Sequence, residues 1–203
     1  MIKNVIFDIG GVLLHFDRSD YLSYFNFDED TEKKLISLFT HKNNSFHQTS
    51  LGQITHAEFV KDAKHQFPEL CNEIDMITNL KNMRFMMPPH TKTFELVKKL
   101  KNQGKKVYII SNIEENSIDY IKTIYENFET YFDGIIYSCR VGMLKPDPEI
   151  FIHTLNKFNL KAEETLFVDD SIKNIDSAKN LKINTFLFNY EENGVENLEI
   201  LLK

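Results

Sequence analysis

The sequence predicts an α/β fold: a largely parallel, doubly wound sheet covered by helices on both faces, with a small helical segment inserted after the first strand. Three observations carry this prediction. From Thr91 onward short apolar runs alternate with amphipathic stretches, the pattern of strands joined by right-handed helical crossovers. Before Thr91, a region of helical periodicity separates the first apolar run from the others. The residues able to do chemistry stand directly after the apolar runs, where an open parallel sheet places its ligand crevice.

The first run, Val5 to Phe7, has the character of a buried strand and ends in a carboxylate, Asp8, followed by Gly10 and Gly11. An acid at the end of a buried strand is costly unless a cation, a donor or a substrate faces it. The two glycines permit a sharp turn and a close approach of the backbone. From residue 17 to about 85 the spacing of Leu35, Leu38 and Phe39 is helical. Thr55 with Glu58 three residues on fits a capping box. The aromatic side chains Tyr21, Tyr24, Phe25, Phe27, Phe39, Phe46, Phe59 and Phe67 suit the core of a small bundle. Pro88-Pro89 breaks the periodicity and returns the chain to the sheet unit.

Thr91 to Gln103 reads as an amphipathic helix stopped by Gly104. Strands follow over Lys106 to Ile110, Ile135 to Ser138, Thr165 to Val168 and Ile183 to Phe188. Between them lie helices over Glu115 to Phe128, Pro148 to Phe158 and Asn174 to Leu181. Pro148 sits in a first turn, where its missing donor is harmless. This gives a core unit of residues 1–16 and 86–203 and a helical unit of residues 17–85.

The 203 residues carry a net charge of −6, with 42% apolar and 27% charged residues. That composition suits a globular protein with a sizeable core and offers no basic face for nucleic acid. No stretch approaches a membrane span, and the N-terminal apolar run is broken by Asp8 and Gly10, unlike a secretory leader. Cys71 and Cys139 form no metal or disulfide pattern, so two free thiols in a reducing, cytoplasmic setting are expected.

Asp8, Ser111-Asn112 and Asp169-Asp170 end three strands, and Lys145 follows a fourth. All should open onto one rim. Three carboxylates converging there would repel one another without a cation among them. Taken singly, Ser111-Asn112 and Asp170 also suit helix caps, and Lys145 an ordinary surface position.

In this order and spacing, Phe7-Asp8-Ile9-Gly10-Gly11-Val12-Leu13, Ile109-Ile110-Ser111-Asn112, Lys145 within Gly142-Met143-Leu144-Lys145-Pro146-Asp147-Pro148, and Phe167-Val168-Asp169-Asp170-Ser171 with Asn174 resemble the four motifs of the haloacid dehalogenase (HAD) superfamily. The wording is similar to bacterial phosphatases of glucose 1-phosphate and to the N-terminal phosphatase domain of epoxide hydrolases. The resemblance implies a Rossmann-like core with a helical cap inserted over residues 17–85. It makes Asp8 the nucleophile. Ser111, the Asn112 amide and Lys145 would hold a phosphate. Asp8, the Gly10 carbonyl, Asp170 and Asp169, directly or through water, would hold Mg²⁺. The implied activity is hydrolysis of a small phosphorylated metabolite, such as a sugar phosphate, through an aspartyl-phosphate.

One position departs from the family pattern. The acid that usually stands two residues after the nucleophile and serves as general acid and base is replaced by Gly10. Losing such a group costs about 10²–10⁴-fold in rate; His15 and Asp17 are the nearest candidates in sequence to replace it. Two other readings follow. A 2-haloacid dehalogenase would use the same fold without metal, but its family pattern tends to lack the paired acids seen at Asp169-Asp170. A non-catalytic binding protein would account for Gly10 but not for Asp8, Lys145 and Asp170 together.

Overall fold

The computed structural model describes residues 1–40, 44–79, 81–82 and 87–202. Five strands, β1 (Asn4–Phe7), β2 (Lys106–Ser111), β3 (Gly134–Tyr137), β4 (Thr165–Asp169) and β5 (Asn184–Leu187), form one sheet in the order β3-β2-β1-β4-β5. Every pairing is parallel. Buried on both faces, the three central strands β1, β2 and β4 are rich in Val, Ile, Leu and Phe, as a covered parallel sheet requires.

Alternate residues of each strand enter separate cores. Val5, Phe7, Val107, Ile109, Leu166 and Val168 face one side, with Leu96, Val97 and Leu100 of α6 (Thr91–Asn102), Ile118 and Ile121 of α7 (Glu115–Ile124) and Leu198 of α11 (Gly194–Leu201). Ile6, Tyr108, Ile110 and Phe167 face the other, against Ile150 and Phe151 of α9 (Pro148–Lys157) and Ile175 and Ala178 of α10 (Ile172–Asn180). The architecture is the expected Rossmann-like α/β fold. The chain lays β2 and β3 on one side of β1 and then crosses to β4 and β5. The switch point therefore lies between β1 and β4, which is where such sheets open a crevice.

Between β1 and α6 the chain forms α1 (Arg18–Ser23), α2 (Glu29–Thr40), α3 (Ser45–Ser50), α4 (His56–Gln66) and α5 (Cys71–Thr78). They gather around a core of their own, including Tyr21, Leu22, Leu35, Leu38, Phe59, Ile74 and Ile77. The capping box at Thr55 is present in both directions, Thr55 accepting from the Glu58 amide and Glu58 from the Thr55 amide. The two chain passages joining this bundle to the sheet run side by side: the His15 amide donates to the Pro88 carbonyl at 2.8 Å and the His90 amide to the Leu13 carbonyl at 2.9 Å. The division expected at residues 85/86 lies outside the described residues.

Three elements differ from the sequence reading. The helix expected to reach Phe128 stops at Ile124. Asn127, at φ +60°, takes a left-handed conformation that helices do not continue through, and a 3₁₀ turn over Phe128–Tyr131 follows. Ser138 is not the end of β3 but the start of a short helix, α8 (Ser138–Val141), and its hydroxyl bonds the Ile113 amide and carbonyl. The C-terminal helix α11 had no assignment.

Candidate active site

Asp8 follows β1 directly, and its amide still donates to the Val168 carbonyl of β4 at 3.0 Å, so the strand pairing carries it to the switch point. Its Oδ1 accepts from the Ile9 amide at 2.6 Å. Its Oδ2 lies 2.8 Å from Nζ of Lys145. The same Nζ lies 2.7 Å from Oδ2 of Asp169. Lys145 is 3% exposed and Asp169 fully buried. A lysine enclosed between two buried carboxylates is compensated on both sides, the condition under which a buried charge is tolerated.

Asn112 explains how Lys145 comes to be there. Its side-chain amide donates to the Lys145 carbonyl at 2.7 Å, and its Oδ1 accepts from the Lys145 amide at 2.8 Å. The residue after β2 thus fixes the backbone of the loop carrying the lysine. The sequence reading assigned Asn112 through its backbone amide; the side chain's role as a clamp was not foreseen.

The acidic pair divides. Asp169 gives Oδ2 to Lys145, while its Oδ1 accepts from the Ser171 amide at 2.8 Å and the Asn174 side chain at 2.9 Å. Both oxygens are already engaged, so Asp169 orients its neighbours more than it presents a free ligand. Asp170 is more exposed. Asp8, Asp169 and Asp170 can each bring one oxygen within 4.8 Å of the others. Burial pushes the Asp8 carboxyl up to about 7; Lys145 opposes the rise, and Asp169 and Asp170 add to it. Asp170 is also raised, by burial and then by Asp169. Lys145 is raised because its two carboxylates outweigh its own desolvation. Crowded hard oxygens whose charges are mutually unfavourable fit a small divalent cation such as Mg²⁺.

Gly11 shows why no side chain stands beside this cluster. Its φ is +72°, and a Cβ there would lie 2.3 Å from Oδ2 of Asp170. At Gly10, by contrast, φ is ordinary and a Cβ would meet Cβ of Phe16 at 3.3 Å. The absent acid at position 10 is therefore not imposed by backbone conformation.

Asp8, Gly10, Ser111, Asn112, Lys145 and Asp170 all line one cavity of 450 Å³ between the strand ends and the helical bundle. Ser111, at the end of β2, is 3% exposed. His15 and Asp17 are not among the lining residues. Asp17 caps α1, accepting from the Ser19 and Asp20 amides, and His15 faces Asp20 at 3.2 Å. The sequence reading missed the link across the cavity. Nδ1 of His56, at the start of α4, lies 3.1 Å from both carboxylate oxygens of Glu114, and its Nε2 lies 3.2 Å from the Thr78 carbonyl. With acceptors on both nitrogens, His56 is held toward its charged form: burial opposes this, and Glu114 with Thr78 overcomes it.

Residues 2–182 match the family of haloacid dehalogenase-like hydrolases. The chain belongs to this family. It is 30% identical over 178 residues to a sesquiterpene phosphatase of Aspergillus oryzae, covering 87% of this chain and 85% of the relative. It is 28% identical over 207 residues to a D-ribitol-5-phosphate phosphatase of Bacteroides thetaiotaomicron, covering 97% and 95%. A HAD family enzyme of Bacteroides thetaiotaomicron, solved with magnesium and inorganic phosphate, superimposes with a TM-score of 0.76 at 27% identity, covering 94% of this chain and 96% of the other. The chain is thus a phosphatase-type HAD hydrolase. No helix among the described residues is long and apolar enough to cross a membrane.

Proposed function

We propose that this HAD hydrolase is a Mg²⁺-dependent phosphatase of a small phosphorylated metabolite. The observation that carries the reading is Lys145 Nζ held 2.8 Å from Asp8 and 2.7 Å from Asp169 at the switch point, with an oxygen of Asp170 close by. The arrangement supports Asp8 as the nucleophile, with a cation beside it for the incoming phosphoryl oxygens.

Asp8 attacks phosphorus; a P–O bond forms to its carboxylate while the bond to the leaving oxygen breaks. Lys145, the Ser111 hydroxyl and the Asn112 amide bind the transferring oxygens. Asn112 also holds the Lys145 backbone in register, and Asp169 holds the ammonium. Water then hydrolyses the aspartyl-phosphate and regenerates Asp8. Asp8, Asp170 and the Gly10 carbonyl would hold Mg²⁺, with Asp169 linked directly or through water; bound there, it supplies positive charge against the phosphoryl oxygens and the crowded carboxylates. The helical segment of residues 17–85 acts as the cap that excludes bulk water and reads the leaving group. The names of the two relatives bracket the choices for that group, a terpenoid alcohol on one side and a polyol on the other.

The test is hydrolysis of an aryl phosphate by the full chain with Mg²⁺, with a chelator, and in Asp8→Asn. Turnover that needs the metal and vanishes in a folded Asp8→Asn supports the reading. Undiminished turnover in that variant overturns it.

A further inference from the structure

The wall of the cavity is a connected set of aromatic rings. Beside Gly10 stands Phe16, and the guanidinium of Arg18 lies 5.1 Å from its ring centroid. The same guanidinium lies 5.7 Å from the ring of Phe39 and 5.6 Å from that of Phe46. Phe46 and Phe39 meet edge to face at 4.9 Å, and Phe59 touches both. Phe59 is fully buried, but Phe16, Phe39 and Phe46 keep part of their surface open to the cavity.

Several polar side chains in this wall already have partners, although Thr40, His47 and Ser117 line it as well. The Tyr21 hydroxyl donates to the Ile77 carbonyl at 2.9 Å, the Thr78 hydroxyl to the Ile74 carbonyl at 2.6 Å and the Ser50 hydroxyl to the Phe46 carbonyl at 3.4 Å. His56 has acceptors on both nitrogens, and Glu114 is the carboxylate it faces. A polyol in this cleft would lose water and find the Tyr21, Thr78, Ser50 and His56 groups already engaged, which weighs against hydroxyls. An apolar body meets ring faces instead. Arg18 differs from the rest: it feels the charge of the neighbouring Asp17 carboxylate, but its guanidinium lies among rings rather than against a carboxylate oxygen. Its charge rests on three rings, a partial compensation that an anion or a carbonyl oxygen would complete.

We propose that the leaving group of the substrate is a compact apolar alcohol, aromatic or branched-aliphatic, packed on Phe16, Phe39 and Phe46, and that Arg18 receives one acceptor or anionic group carried on it. This rests on the phosphatase reading above and narrows it: sugar and polyol phosphates are poor substrates.

The experiment compares kcat/KM of the full chain with Mg²⁺ for benzyl phosphate and ribitol 5-phosphate. Both are esters of primary alcohols, so their leaving oxygens are chemically alike. Acetyl phosphate, whose leaving group is too small to use the wall, tests the phosphatase reading separately. Benzyl phosphate is favoured by at least about tenfold, the discrimination a modest apolar contact supplies. Phe46→Asn brings the ratio toward unity, while Phe46→Leu keeps most of it, and circular dichroism verifies that both variants fold. Arg18→Met raises KM for para-carboxybenzyl phosphate about tenfold more than it raises KM for benzyl phosphate. Hydrolysis of acetyl phosphate together with equal or better use of ribitol 5-phosphate overturns this inference alone. Failure on benzyl phosphate, ribitol 5-phosphate and acetyl phosphate alike overturns the phosphatase reading and this inference with it. An unchanged KM for the carboxylated ester in Arg18→Met removes Arg18 from the assignment.

Discussion

Replacing Lys145 by methionine isolates the electrostatics of the site. Methionine has nearly the length of the lysine stem, so little packing changes. What disappears is the cation held 2.8 Å from Asp8 and 2.7 Å from Asp169. The Lys145 and Asp169 side chains are fully buried, and that of Asp8 is 13% exposed. Removing one partner from such a buried arrangement costs about 3–5 kcal/mol, because the remaining charges lose compensation without regaining water. For a chain of this length each kcal/mol moves the melting temperature by about 2–4 °C, so metal-free Lys145→Met should melt about 6–20 °C below wild type at pH 8. The loss must shrink at pH 5. Lys145 is what holds the Asp8 carboxyl down against burial; without it Asp8 is protonated well above pH 5 and its buried charge vanishes. Hydrolysis of an aryl phosphate should be lost at either pH. Calorimetric melting of both proteins at both pH values, with chelator present, checks this. A shift of less than about 2 °C at pH 8 would refute the reasoning, since the lysine's attraction would then no more than balance its desolvation.

Three further outcomes follow from the same geometry. Asp8 has a folded value near 7 against the usual 3.8, so between these values the folded protein keeps a proton that the unfolded chain has released, and its contribution to stability falls as pH rises through that window; Mg²⁺ competes with that proton, so calorimetry should find a larger melting shift on adding Mg²⁺ at pH 8 than at pH 5. Gly11→Ala forces a Cβ into 2.3 Å of Asp170 at a φ of +72°; it should cost about 1–2 kcal/mol from the backbone alone and weaken Mg²⁺ binding in a calorimetric titration, whereas Gly10→Ala should do little to either. Gly10→Asp, at an ordinary φ, should restore a proton donor and flatten the dependence of kcat/KM on leaving-group pKa across a series of phosphate esters, by up to about 10²-fold for the poorest leaving groups; a wild-type series that is already flat would show that a donor stands elsewhere.

The fold was legible because its signals are local. Each buried strand is a short apolar run, each helix a periodic one, and the stop at Gly104 and the start at Pro148 act through their own backbones. The convergence of Asp8, Ser111, Lys145, Asp169 and Asp170 followed from one topological rule about strand ends. What escaped were contacts between distant segments. Nothing around Asn112 indicates that its side chain binds the backbone of a residue 33 positions on. Nothing around His56 points to Glu114, 58 positions away. Arg18 could be taken for an ordinary surface cation until Phe16 and the helices α2 and α3 bring three rings beside it. His15 and Asp17 stood close to Gly10 in sequence, but α1 starts at Arg18 and takes the Asp17 carboxylate as its cap. Proximity along the chain was a poor guide there.

The central place of β1 has a consequence for how this chain comes to be folded. It is the earliest strand in the chain and also the middle one of the sheet, flanked by β2 and β4. Asn4 meets Lys106 on one side and Thr165 on the other, the latter a separation of 161 residues. At ribosomal speeds of about 5–20 residues per second, a fully buried apolar strand waits roughly 8–32 s for its second neighbour. Such long-range pairing is intrinsically slow and leaves a sticky edge open meanwhile. Any fragment of this chain ending before residue 165 therefore presents β1 with one side bare and should collect in inclusion bodies. The helical bundle, whose core is drawn from residues 21–77, can form while that strand is still waiting.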